Sequence, residues 1–149
     1  MAKIRVTKEF DFEMAHALWN YDGACKNIHG HSYRLFVTLS GTPITDKGNP
    51  KLGMVLDFKD LKKMVKGPVV DYLDHSLVVY READRKGLSS VRSLYEKVHV
   101  VDFQPTCENL VLFIVDTIRE TIGPGLELSS VKLYETATSF AEWHAEDNL

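Results

Sequence analysis

The sequence predicts an α+β fold: a four-stranded antiparallel sheet with two helices on one face, in the order strand, strand, helix, helix, strand, strand. Three observations predict it. Two segments near the N-terminus carry apolar residues at every second position, two later segments carry them at three- and four-residue steps, and alternation returns near the C-terminus. With 149 residues, 44% of them hydrophobic, there is material for one core, and residues 1–149 are read as a single domain.

The first strand is read over residues 4–15, with Ile4, Val6, Phe10, Phe12 and Met14 on one parity. Residues 32–41 repeat the pattern with Tyr33, Leu35, Val37 and Leu39, and the two strands are expected to pair antiparallel. Between them, residues 18–28 contain Asn20, Asp22 and Gly23 and form a loop that carries Cys25. A turn-rich stretch over 41–53 follows. Asp57 then reads as the N-cap of a first helix bearing Leu61, Met64 and Val65, which Gly67-Pro68 ends or kinks. A charged insertion occupies 81–97. Thr106 caps a second helix with Leu110, Phe113, Ile114, Thr117 and Ile118 on one face, stopped by Gly123-Pro124. Residues 128–135 and 140–144 supply the last two strands. The sheet's open edges make a closed oligomer a plausible solution, with copies joined through their sheets.

A formal charge of −3 leaves no basic stripe, so nucleic acid is not an expected partner, although a few local cations suffice for a small anion. The N-terminal run Met1-Ala2-Lys3-Ile4-Arg5-Val6 lacks a signal-peptide core and no apolar stretch reaches membrane-spanning length, which predicts a cytoplasmic protein with no membrane partner. Cys25 and Cys107 are expected as free thiols, Cys107 as a small buried residue.

The chemistry concentrates in three histidines. His29 and His31 flank Gly30, and residues two apart on an extended chain share a face, so the two imidazoles stand side by side. His16, at the end of the first strand, can supply a third. Three neutral imidazoles suit zinc and leave a position open for water or substrate, whereas Cys25 as a fourth ligand would close the site and make it structural. Off the metal, Cys25 is a candidate base or nucleophile, its thiolate favoured by a nearby cation. Asp74-His75 sets a carboxylate beside an imidazole for proton relay, provided a turn bends the pair together; otherwise it is a cap and a solvated ring. Glu135 shares the parity of Leu133, where a carboxylate needs a cation or several donors: an internal salt bridge, or the two parallel N–H groups of a pterin or guanine edge. Glu108 reads as a charge favoured by the helix dipole. His99 and His144 lack such neighbours and are read as non-catalytic.

Six ordered motifs extend over most of the chain: Phe12-Glu13-Met14-Ala15-His16, Cys25-x3-His29-Gly30-His31-x-Tyr33, Gly53-Met54-Val55-Leu56-Asp57-Phe58, Leu73-Asp74-His75, Pro105-Thr106-x-Glu108-Asn109-Leu110, and Glu135-Thr136-x4-Ala141. Their order and spacing resemble the 6-pyruvoyltetrahydropterin synthase family. The resemblance implies the tunnelling fold (T-fold), in which subunits join their sheets into an oligomeric barrel, a homotrimer or stacked homohexamer with active sites between subunits. The three residues between Cys25 and His29 resemble the 6-carboxytetrahydropterin synthase branch of queuosine biosynthesis. By this resemblance His16, His29 and His31 hold Zn2+; Cys25, Asp74 and His75 move protons on 7,8-dihydroneopterin triphosphate; Glu135 anchors the pterin; and Thr106 and Glu108 also bind substrate. The implied products are 6-carboxytetrahydropterin, acetaldehyde and triphosphate. Alternatives are a 6-pyruvoyltetrahydropterin synthase, a folate-branch paralogue that cleaves the side chain, or a non-catalytic zinc- and pterin-binding oligomer. Three places depart from the pattern: Met14 replaces a small residue and could crowd the metal strand, Val78-Val79 replace Leu-Asn, and the 81–97 segment is longer than expected, leaving its role open.

Overall fold

The computed structural model describes residues 1–149, apart from the side chains of residues 84–86. The chain runs β1 (Ile4–His16), β2 (His29–Gly41), α1 (Phe58–Val65), β3 (Ser76–Tyr80), α2 (Leu88–Leu94), β4 (Val98–Val101), α3 (Cys107–Arg119), β5 (Glu127–Tyr134) and β6 (Phe140–His144). One mixed sheet has the order β4-β3-β1-β2-β5-β6. The four expected strands are its antiparallel part, with β1 paired to β2, β2 to β5 and β5 to β6.

The expected four-stranded sheet is corrected to six strands, because β3 lies parallel to β1 and β4 parallel to β3. Both added strands are short apolar runs, Leu77-Val78-Val79-Tyr80 and Val98-His99-Val100-Val101, without the alternation that marks a half-solvated strand. Parallel neighbours cannot be joined by a tight turn. The 81–97 segment is that crossover, and it contains the third helix, α2. The charges at 84–86 that helped to single out this segment belong to side chains outside the described residues.

The core lies on one face of the sheet, beneath α1 and α3. Phe10, Phe12 and Met14 of β1 and Tyr33, Leu35, Val37 and Leu39 of β2 meet Leu61 and Val65 of α1 and Leu110, Ile114 and Ile118 of α3. Met14 is therefore absorbed by the core. The β1 parity holds from Val6, which packs partly buried against the core, through Met14, whereas Ile4 is exposed. In β5 the pairing slips by one residue, from Leu39↔Leu128 to Thr38↔Ser130, so Leu128 and Val131 both face inward despite opposite sequence parity.

Asp57 caps α1 by accepting from the Lys59 amide at 2.9 Å, and Thr106 caps α3 by accepting from the Asn109 amide at 3.2 Å. Gly67-Pro68 does not stop the chain's coiling: a wider π-helical turn over Lys66–Asp71 follows α1, consistent with a proline that has no N–H to donate. No helix among the described residues is long and apolar enough to cross a membrane.

Candidate metal centre

The β1–β2 hairpin builds the site. Its register sets His16 directly opposite His29 and Met14 opposite His31, so all three imidazoles project from the helix-covered face where the hairpin opens into the 17–28 loop. Their ligand atoms lie within 4.8 Å of one another. His16 is 1% exposed, whereas His29 and His31 are half-buried. Burial pushes the His16 pKa down to about 4, outweighing the backbone hydrogen bond to Pro105 that raises it, so His16 is neutral at physiological pH.

Tautomers follow from the partners. His16 Nδ1 lies 2.7 Å from the Pro105 carbonyl and His29 Nδ1 lies 2.8 Å from the Asn27 carbonyl. A carbonyl only accepts, so each neutral ring carries its proton on Nδ1 and turns a bare Nε2 lone pair inward. The two Nε2 atoms are 3.0 Å apart. Two lone pairs held face to face need a cation between them, and three imidazoles of this kind fit zinc. Cys25 is not in the cluster among the described residues, so the donor set is the three histidines.

Glu135, just past β5, is 27% exposed at its side chain, and its Oε1 lies 3.6 Å from His16 Nε2 and 3.8 Å from His31 Nε2. The buried phenol of Tyr33 packs edge-on to His31, with ring centroids 5.6 Å apart; its hydroxyl has no hydrogen-bond partner among the described residues, and burial pushes its pKa up.

Cys25 is exposed on a short 3-10 turn, Ala24–Lys26. Its carbonyl accepts from the Leu18 amide at 2.9 Å, tying it to the chain that leaves His16. The loop is also latched to the far end of the sheet: the Trp19 amide donates to Gln104 Oε1 and Gln104 Nε2 donates back to the Trp19 carbonyl, both at 2.8 Å. Asn109 of α3 holds Gln104 in turn, donating to its carbonyl at 3.0 Å. Gln104-Pro105 thus orients both the His16 ring and the Cys25 loop. Sequence reading missed Gln104, since a contact 85 residues away leaves no local pattern.

The turn that the Asp74-His75 pair required is present. His75 adopts φ 59°, in the left-handed region, as the chain swings into β3. His75 Nδ1 then lies 2.9 Å from Asp74 Oδ2, while Asp74 Oδ1 accepts from the Glu13 amide at 2.8 Å. That backbone hydrogen bond, followed by the contact with His75, holds the Asp74 carboxyl below its usual range. Lys97, at the end of the crossover, donates to the carbonyls of Asp71 and Asp74 and braces the turn.

The pair stands outside the triad's ligand cluster among the described residues. His75 borders a cleft of about 610 Å3 together with Glu13, Ser32, Lys97 and His31 of the triad. Glu13 and Ser32 have the parity opposite to His16 and His31, so this cleft opens on the other face of the sheet. Thr106 serves as the α3 cap, and Glu108 is exposed in the first turn of that helix. His99 stacks on Tyr72 at 3.9 Å and His144 lies 3.2 Å from Glu142.

Known proteins match this arrangement over nearly its whole length. A 6-carboxy-5,6,7,8-tetrahydropterin synthase from Haemophilus influenzae is 38% identical over 141 residues, 93% of this chain and 97% of its own. The enzyme of that name from Synechocystis is 35% identical over 138 residues, 93% and 91% of the two chains. Among solved structures, an uncharacterized protein from Wolinella succinogenes superposes with a TM-score of 0.78 at 24% identity, over 97% of this chain and 99% of that one. The 6-pyruvoyl tetrahydropterin synthase of Caenorhabditis elegans superposes with a TM-score of 0.69 at 24% identity, over 97% and 96%. Since the family model for 6-pyruvoyl tetrahydropterin synthase matches residues 5–146, all of the sheet but Ile4 and the three-histidine cluster included, the chain belongs to that family.

Proposed function

We propose that this protein is a zinc-dependent 6-carboxy-5,6,7,8-tetrahydropterin synthase, a carbon-carbon lyase that converts 7,8-dihydroneopterin triphosphate and water to 6-carboxytetrahydropterin, acetaldehyde and triphosphate. The observation that carries the reading is a three-imidazole donor set with a carboxylate at its side, in a chain 38% identical to the Haemophilus influenzae protein of that name. The role is cytoplasmic, in 7-deazapurine and queuosine biosynthesis.

His16, His29 and His31 hold the metal, and backbone carbonyls at Nδ1 orient the His16 and His29 rings before the ion arrives. Bound zinc supplies Lewis acidity toward the substrate's side-chain oxygens and stabilises the negative charge that develops there. Glu135 accepts the two parallel N–H groups of the pterin edge, and Thr106 and Glu108, at the start of α3, flank the ring. Cys25, exposed on its latched loop, takes and returns a proton on the side chain. Asp74 orients His75 by accepting from its Nδ1, leaving Nε2 for proton transfer.

Because Asp74 and His75 open on the face opposite the triad, they serve the site of a neighbouring copy. That requires residues 1–149, as one domain, to assemble as a homotrimer or homohexamer, with sheets joined through the free edges at β4 and β6 into a T-fold barrel.

The test is to incubate the zinc-loaded protein with 7,8-dihydroneopterin triphosphate and identify the products by mass spectrometry, with Cys25→Ala as control. The carboxy product with acetaldehyde, absent in the control, is expected. A pyruvoyl product would move the protein to the sister branch, and unchanged substrate would leave a binding protein.

A further inference from the structure

The crossover that joins β3 to β4 ends on Lys97, and the register of those two strands decides where its side chain goes. Leu77 stands opposite Val98, and the Leu77 amide donates to the Lys97 carbonyl at 3.0 Å, so Lys97 lies beside the Asp74-His75 turn. Its ammonium crosses that turn, donating to the Asp71 carbonyl at 2.5 Å and to the Asp74 carbonyl. The Asp71 carboxylate takes no part, because Lys66 pairs with it at 2.8 Å.

A continuing helix would fill the Asp71 carbonyl with the amide of His75, four residues on. That amide instead turns away and donates to the Glu13 carbonyl at 2.6 Å, while His75 takes φ 59°. The left-handed conformation is unfavourable for a residue with a Cβ and persists only where the surroundings impose it. A lysine can satisfy the carbonyls that a helix end leaves open, and here it is supplied from 26 and 23 residues further along the chain. One ammonium thereby ties the carbonyl that the His75 amide has abandoned to the carbonyl immediately before His75. Lys97 is half-buried and borders the same cleft of about 610 Å3 as His75, together with Glu13 and Glu96.

We propose that Lys97 is a positioning residue for His75: its ammonium fixes the backbone turn from which the Asp74–His75 pair addresses the cleft. This rests on the proton-transfer role given to His75 above and assigns the 81–97 segment a part in it. Lys97 acts through the turn, so its loss disturbs the proton-transfer step and leaves substrate binding in place.

Lys97→Met keeps the apolar stem and removes the donor. In steady-state assays with 7,8-dihydroneopterin triphosphate it should lower kcat by about 10- to 100-fold and leave KM within about twofold. Lys97→Arg, which keeps a charged donor, should restore most of kcat, and Lys97→Gln is a second uncharged variant in case Lys97→Met does not fold. With protein in excess over substrate, the double variant His75→Ala/Lys97→Met should be no slower than His75→Ala, because the brace then has nothing to position. Amide exchange needs no turnover: the Asp74 amide, bonded to the Val70 carbonyl at 2.8 Å, and the His75 amide should exchange faster in Lys97→Met. Wild-type kcat in the folded uncharged variants would overturn the proposal, as would a raised KM at unchanged kcat or a double variant slower than His75→Ala. If the wild-type protein makes no product, the synthase reading falls and amide exchange alone decides the brace. Wild-type protection at Asp74 and His75 in Lys97→Met would then overturn it, and faster exchange would uphold it.

Discussion

His16 Nε2 and His29 Nε2 face each other at 3.0 Å, and each ring's Nδ1 lies against a backbone carbonyl that accepts the proton of a neutral imidazole. Two neutral rings so held cannot donate to each other, so the pair is arranged for a cation. Zinc binding should therefore raise thermal stability. At free zinc 100 times the dissociation constant the gain is about 2.7 kcal/mol. His29→Ala should abolish the zinc-dependent shift in melting temperature; a shift of wild-type size in that variant would show that the metal binds elsewhere.

Gln104 holds Trp19 by two hydrogen bonds, each contributing roughly 0.5–1.5 kcal/mol net. Gln104→Ala should lower stability by about 1–3 kcal/mol in urea titrations. It should also speed amide exchange at Trp19, because the amide that Gln104 receives is left unpartnered, and lower kcat more than KM because Cys25 rides on the released loop.

The two thiols should react differently. Cys25 is exposed, whereas Cys107 is buried, donates to the Leu133 carbonyl at 3.3 Å and is pushed up to about 11 by burial. Iodoacetamide at pH 8 should label the native protein once, at Cys25, and twice after denaturation. Peptide mass mapping checks this, and native labelling at Cys107 would contradict the packing.

The Thr106 hydroxyl caps α3 and, in the proposed function, also meets the substrate. Removing the α3 cap by Thr106→Ala should cost about 1 kcal/mol, while Thr106→Ser keeps the cap. If Thr106 also touches the pterin through its hydroxyl, the serine variant should retain the wild-type KM and the alanine variant should not.

Asp74 makes an acid-side prediction. Its carboxyl is held below the unfolded value of 3.8, first by the Glu13 amide and then by His75. Its contribution to stability is therefore present above pH 3.8 and lost as pH falls through the lower folded-state value. Asp74→Asn should be less stable at neutral pH and show a flatter loss of stability below pH 4. Parallel pH curves for the two proteins would contradict that assignment.

What was legible in the sequence was whatever repeats with a short period or lies within a few residues. Phe10 to Met14, Tyr33 to Leu39 and Leu110 to Ile118 announced their strands and helix because burial imposes a period of two or of about 3.6. β3 and β4 escaped because four- and five-residue apolar runs carry neither period. Their flanking position to the 81–97 crossover was the usable signal. His29-Gly30-His31 and His16 were visible as residues, but their convergence depends on the β1–β2 register, and the metal-facing tautomer depends on Pro105, 89 residues from His16. The Asp74–His75 geometry rests on a positive φ that no side-chain pattern encodes. That His75 shares its cleft with Glu13 and Ser32, whose parity is opposite to that of the triad, is a property of topology alone.

That placement gives the most direct test of the proposed function, under which one copy's Asp74–His75 acts on another copy's Cys25 and triad. Cys25→Ala and His75→Ala should each be inactive alone. Unfolded together in equal amounts and refolded into mixed oligomers, they should regain about one quarter of wild-type turnover, since a quarter of the interfaces then pair an intact Cys25 with an intact His75. Recovery of none, in oligomers shown to be mixed, would contradict a site completed by a neighbouring copy.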